Sequence, residues 1–115
     1  MTAKNEGRYR IIQDRECSMY YQVRDWQHPD TKSWCKSKEV GLIRGEEPKQ
    51  LIKLLRKFFR GQAPLPPVEF WGYIESEHPE VYKGNWHLRL KGIPGELQVY
   101  DESLVEFLNK AVKAD

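Results

Sequence analysis

Two amphipathic segments, each preceded by short strand-like runs, constrain the fold of this chain most strongly. The clearer segment begins at Pro48 and ends before Gly61, and its apolar residues recur at helical spacing. These residues are Leu51, Ile52, Leu54, Leu55, Phe58 and Phe59. Proline suits the first turn of a helix and glycine suits its C-terminal cap, so one helix with a broad apolar face is predicted. Glu46 and Glu47 precede it at the positive end of its dipole.

The second amphipathic segment closes the chain. Asp101 or Ser103 is predicted to cap this helix, because short polar side chains satisfy the free N–H groups of a first turn. Its apolar side is formed by Leu104, Phe107, Leu108, Ala111 and Val112. Each helix needs an apolar surface to cover, which the strands before it can supply.

The strand patterns divide into two groups around a linker at Gly61–Pro67, which contains three prolines. Alternation of side chains and β-forming residues predicts strands over 8–14, 19–26, 32–38, 39–44, 68–75, 86–91 and 97–100. Repetition of the order strands then helix indicates a duplication. We therefore predict an α+β fold with antiparallel curved sheets and helices that pack together.

The predicted organisation is one compact domain with four parts. Residues 1–7 form a flexible N-terminus, 8–61 a first ββββα-like unit, 62–67 the Pro-rich linker and 68–115 a second βββα-like unit. A curved sheet with one helix buries its face poorly, and pairing two such units buries the shared side.

Composition narrows the class of protein. The chain has 115 residues with 39% hydrophobic and 31% charged content, which is typical of one soluble globular domain. No apolar run approaches the roughly 20 residues of a membrane helix, and no apolar signal segment is seen at the N-terminus. We expect a cytoplasmic location, with Cys17 and Cys35 reduced.

Charge is unevenly distributed along the chain. Residues 1–60 hold 14 basic and 8 acidic residues, a net +6, whereas residues 61–115 hold 5 and 9, a net −4. This asymmetry indicates an anion-binding surface in the first half, or an internal attraction between the two halves.

Cations and aromatic rings alternate along the two predicted strands at 19–26 and 32–38. These strands are predicted to form a hairpin, with its turn around Pro29 and Asp30. One face of the first strand carries Tyr20, Arg24 and Trp26. One face of the second strand carries Lys32, Trp34, Lys36 and Lys38. Single-stranded nucleic acid binds such a surface, because its phosphates bind cationic side chains and its unstacked bases stack on aromatic rings. The alternative is an ordinary solvated face.

Several motifs of the first half carry a family resemblance. They are Arg8-Tyr9, Tyr21-Gln-Val-Arg-Asp-Trp26, Pro29-Asp30, the basic run to Lys38, Val40-Gly-Leu42 and Glu47-Pro-Lys-Gln-Leu51. This half resembles the transcriptional positive-cofactor type of single-stranded-DNA-binding domain, and the related Whirly proteins repeat a four-strands-plus-helix unit. The second half echoes the pattern only through 86–91 and 96–112, and its acidic character departs from it.

The resemblance implies a sheet surface that binds single-stranded DNA or RNA, formed by two units. Carried over by position, the contacts are Arg24, Trp26, Lys36 and Lys38, with Arg10 and Tyr20 as weaker candidates. We therefore expect a non-enzymatic, cofactor-free protein that binds single-stranded nucleic acid, DNA ahead of RNA, in transcription, replication or recombination. We expect no membrane partner, a monomeric pseudo-dimer or a homodimer, and association with the nucleoid in a bacterial or phage host.

Other chemistries have weaker signals. The three histidines and two cysteines match no metal-binding spacing, and no phosphate-binding glycine loop occurs. The acidic loop Glu75–Glu80 could hold a divalent ion as in a nuclease, although a solvated loop is the simpler interpretation. A protein-interaction module that docks an acidic partner is the main alternative function.

Overall fold

A computed structural model describes residues 9–13, 21–25 and 39–113 of the chain. The described strands are β1 (Tyr9–Gln13), β2 (Tyr21–Asp25), β3 (Glu39–Arg44), β4 (Val68–Glu75), β5 (Gly84–Leu90) and β6 (Glu96–Val99). The helices are α1 (Lys49–Phe59), which follows β3, and α2 (Glu102–Lys113), which follows β6. The predicted α+β class, with antiparallel strands and two helices, is confirmed.

All six of these strands belong to one sheet in the order β1-β2-β3-β6-β5-β4. Each half contributes a three-stranded meander, and the halves meet where β3 and β6 pair antiparallel, with Leu42 opposite Gln98 and Ile43 opposite Leu97. The expectation of separate sheets is therefore wrong for the described strands, because the last strand of one meander bonds to the last strand of the other.

β2 is paired on both of its sides. Tyr9–Gln13 of β1 lies along one edge, and residues of β3 from Ile43 to Glu39 lie along the other. The predicted hairpin partner of this strand was 32–38, which lies outside the described residues. Because both edges of β2 bond to β1 and β3, the predicted pairing of 32–38 with 21–25 is wrong.

The core lies between one face of the sheet and the two helices. Its fully buried side chains come from both halves of the chain. They are Val40 and Ile43 of β3, Leu51, Leu55 and Phe59 on or beside the apolar face of α1, Leu88, Leu90, Leu97 and Val99 of β5 and β6, and Leu104 and Leu108 of α2. Leu65 of the predicted linker also joins this core, so this side chain anchors the linker.

An aromatic cluster joins the helices. The Phe107 ring of α2 lies 5.3 Å from that of Phe58 in α1 and 5.4 Å from that of Tyr9 in β1. Tyr9 also contacts Phe59 at 5.7 Å. Aromatic pairs at these separations contribute about 0.5–1.5 kcal/mol each beyond the area they bury. The two helices therefore contact each other through the rings of Phe58, Phe59 and Phe107.

The helix ends follow the predicted capping residues. Gly61 has a positive φ of 72°, and its N–H donates to the Phe58 carbonyl while the N–H of Gln62 donates to that of Lys57. This pair of bonds is a Schellman motif, which favours glycine because a Cβ disfavours left-handed backbone. At α2, the Asp101 carboxylate accepts the Ser103 N–H at 3.1 Å, so Asp101 is the N-cap.

Candidate nucleic-acid interface

The face of the sheet that points away from the helices is the open face. Its residues alternate with core residues along each strand, so the pairing places them on one surface. The open face carries Arg10 and Ile12 of β1, Leu42 and Arg44 of β3, Glu96 and Gln98 of β6, His87 and Arg89 of β5, and Phe70 of β4. Apart from the exposed Arg44, these side chains are half-buried.

Two of the predicted contact residues are brought together on this face. Arg10 of β1 is the direct Cα partner of Arg24 of β2. Directly opposed positions of an antiparallel pair belong to the same face of a sheet, so the two arginine positions lie on one face near the β1 end. The acidic Glu39 of β3 is the Cα partner of Arg24 on the other side of β2.

The remaining predicted contacts lie outside the described residues. They are Tyr20, Trp26, Lys32, Trp34, Lys36 and Lys38. Trp71 and Trp86 are half-buried and pack against the core. Their rings are 4.8 Å apart, and the Trp71 indole N–H donates to Asn109 Oδ1 at 2.8 Å. That bond ties β4 to α2.

A polar network surrounds the Glu96 carboxylate on the second half of the open face. Glu96 Oε2 lies 3.0 Å from His87 Nδ1 and accepts a hydrogen bond of 2.6 Å from the Gln98 amide. Glu96 Oε1 accepts a hydrogen bond of 3.2 Å from Arg89 Nη1. Two strands supply these groups, because β5 and β6 are neighbours in the sheet.

This network changes the acidity of Glu96. Partial burial alone would raise the pKa of the carboxyl, since desolvation disfavours charge. The amide of Gln98, the imidazole of His87 and the guanidinium of Arg89 together outweigh that effect. The pKa of Glu96 is therefore lowered, and its carboxylate stays charged at pH values below the usual pKa of a glutamate.

Arg89 is held from three sides. Besides its bond to Glu96, its guanidinium lies 4.7 Å from the centre of the Phe70 ring, and its Nε is 3.8 Å from a carboxylate oxygen of Glu69. A guanidinium between two carboxylates and a ring has less capacity for an external phosphate. The second half of the open face is thus internally neutralised, in agreement with the acidic balance of that half.

Metal-binding and membrane-spanning features were sought over the same ranges. Within residues 9–13, 21–25 and 39–113, no group of three or more His, Cys, Asp or Glu is arranged to hold a metal ion. Neither α1 nor α2 is long and apolar enough to cross a membrane.

Comparison with protein-family models, with curated proteins and with solved structures found no match for this chain.

The Glu96 network is the part of the open face that the sequence patterns did not identify. Alternation along 86–91 sets His87 and Arg89 opposite the apolar Leu88 and Leu90, which could have placed both on the solvent side. The contacts of His87 and Arg89 with Glu96 depend on the register of β5 against β6, which a single sequence leaves undetermined.

Proposed function

We propose that this protein binds single-stranded nucleic acid, DNA ahead of RNA, on the open face of its sheet. The observation that supports the proposal is that Arg10 and Arg24 occupy directly opposed backbone positions of β1 and β2. Guanidinium groups bind phosphates through charge-assisted hydrogen bonds.

The proposal extends from this point into the cationic and aromatic residues of 26–38. In it, Trp26 and Trp34 stack on bases, while Lys32, Lys36 and Lys38 contact the backbone, and Tyr20 contributes from the start of the strand. The first unit then has the ββββα form of the resembling family, with 32–38 as the additional strand between β2 and β3 in chain order. The protein acts without catalysis or cofactor, in transcription, replication or recombination in the cytoplasm or the nucleoid.

The βββα topology, repeated about the β3–β6 pair, supports a platform made within one chain. In this proposal the first half supplies the binding surface and the second half supplies structural support. Its Arg89 and His87 are engaged with Glu96, so the positive charge of Arg89 is offset on the surface.

The test is a titration of labelled oligothymidylate at several salt concentrations. Arg24→Gln and Trp26→Ala should each weaken binding while the melting temperature stays unchanged, and truncation of a stacking ring should cost about 1–3 kcal/mol. Glu96→Gln should strengthen binding, because it removes a negative charge from the same face. Absence of binding at low salt, or affinity independent of salt, would refute the proposal.

A further inference from the structure

We propose that α1 carries a second phosphate-binding surface, a shallow groove that takes the backbone of the same single-stranded nucleic acid. The groove, called the α1 groove, is lined by Lys49, Ile52, Lys53, Arg56, Lys57, Arg60 and Gln62. This inference rests on the proposed function and adds a second site to it.

The cations of the α1 groove lie close together on one side of the helix. At 3.6 residues per turn, the five basic side chains fall within a sector of about 100° and extend over about 16 Å of the axis. Among the described residues, none of the five forms an ion pair. An unneutralised row of this kind attracts a polyanion.

Helix stability does not account for this charge pattern. Arg56 and Lys57 in the last turn suit the helix dipole, but Lys49 in the first turn opposes it. Like charges three or four residues apart, such as Lys49 and Lys53, destabilise a helix by about 0.2–0.5 kcal/mol per pair. The row therefore costs stability in the free protein, and a bound anion relieves that cost.

The second helix provides an internal comparison. α2 mixes its charges, with Glu106 four residues before Lys110, which is the favourable order for a solvated face. Residues 49–60 contain five cations and no acidic residue. Since both helices cover the same core, the difference reflects what their outer faces meet rather than how they pack.

The position of the groove relates it to the open face. Arg56 Nη2 donates to the Ile11 carbonyl at 3.3 Å, which fixes the groove beside β1 at one end of the described sheet. Ile11 is adjacent in β1 to Arg10. A nucleic-acid strand that leaves the open face at Arg10 therefore reaches the α1 groove by passing around a single β-strand.

The chemistry of the groove favours a phosphate backbone over an acidic protein. Protein interfaces depend on exposed apolar or aromatic anchors. The one aliphatic residue of the groove, Ile52, is only 5% exposed, and the large exposed hydrophobic side chains of the described residues all lie between Tyr73 and Tyr100. A cationic surface that lacks exposed apolar side chains is better matched to a regularly spaced polyanion than to a protein. Cations one helical turn apart, about 5.4 Å along the axis, can contact successive phosphates.

The experiment compares three matched double variants on an oligothymidylate of about 30 nucleotides, long enough to cover more than one contact surface. The groove variant is Lys53→Gln with Lys57→Gln, the sheet variant is Arg10→Gln with Arg24→Gln, and the control is Lys91→Gln with Lys110→Gln. The control removes two exposed cations of the second half. Affinity is measured between about 50 and 200 mM salt.

The groove variant should lower the slope of log affinity against log salt by about 1.4, since each phosphate contact on a single strand contributes about 0.7. The control should change the slope much less. An unchanged slope in the groove variant, beside weakened binding in the sheet variant, overturns the α1 groove and leaves the proposed function standing. Weakening in the groove variant alone supports the groove and overturns the sheet site.

If the wild-type protein does not bind oligothymidylate, the proposed function and its extension to α1 are both overturned. A second set of probes then identifies what the α1 groove binds. Polyglutamate and inorganic polyphosphate are then titrated separately. Binding of polyglutamate that the groove variant abolishes assigns the surface to an acidic protein partner and contradicts the nucleic-acid inference. Binding of polyphosphate alone, lost in the groove variant, assigns the groove to a phosphate polymer other than nucleic acid and also contradicts the nucleic-acid inference.

Discussion

At the scale of single residues, Glu96 shows how cross-strand neighbours determine the properties of an ionisable group. Its carboxylate has 22% side-chain exposure and sits among His87, Arg89 and Gln98. Together these partners lower its pKa, so the folded protein holds this proton less tightly than the unfolded chain does. A group of this kind makes stability depend on pH.

The stabilisation from Glu96 should be complete above the pKa that a glutamate has in the unfolded chain. It should be lost as the pH falls through the lower pKa of the folded state. Glu96→Gln should therefore reduce the unfolding free energy at neutral pH, by about 1–2 kcal/mol for charge-assisted hydrogen bonds. The difference from the wild type should shrink on acidification.

Urea denaturation at several pH values measures this difference. The control is Glu106→Gln, because Glu106 is exposed on α2 and its removal leaves the Glu96 network intact. A gap between the wild type and Glu96→Gln that stays constant from neutral to strongly acidic pH would contradict the assignment of the network.

At the scale of elements, the contact of β3 with β6 holds the two halves in one sheet. Gly41 lies opposite Val99 in this pair, and a Cβ added to Gly41 would lie 2.7 Å from the backbone oxygen of Gln98. A backbone atom in a paired strand cannot move aside as the end of a side chain can.

Gly41→Ala should therefore destabilise the protein by about 1–3 kcal/mol, the usual range for overpacking. Thermal unfolding followed by circular dichroism measures the loss, with Lys91→Ala in an exposed turn as the control. An unchanged melting temperature would mean that the strands lie further apart than the structure shows.

At the scale of the whole molecule, the two halves share one hydrophobic core. Phe59 of α1 and Leu108 of α2 are buried in the same cluster, together with Tyr9 of the first strand. A core assembled from both halves couples them, because neither meander buries its apolar face fully without the other. The molecule is therefore expected to unfold as one unit.

Leu108→Ala should lower the unfolding free energy by about 2–5 kcal/mol, since it removes a fully buried leucine side chain and leaves a cavity. The unfolding transition should remain single. In native-state hydrogen exchange, amides of β3 and of β6 should lose protection by the same free energy. Two separate transitions, or loss confined to the second half, would show that the halves fold independently. Lys110→Ala, exposed on the same helix, is the control.

Local patterns in the sequence were sufficient to identify several elements. The predicted bounds of the strands at 39–44 and 68–75 coincide with β3 and β4, and α1 lies within its predicted segment. Gly61 and Asp101 cap the helices as expected. These features are set by neighbouring residues, through side-chain periodicity and the hydrogen bonds of helix ends, so a single sequence records them.

Only the tertiary structure decided which strands are neighbours. The pairing of β3 with β6, the meeting of Glu96 with His87 and Arg89, and the bond from Arg56 to β1 all join segments whose relative position depends on sheet order and register. A one-residue change of register exchanges the faces of a strand at little local cost, and only packing against the shared core penalises it. The sequence alone therefore determined the elements and their charges, whereas the structure determined which charges share a surface.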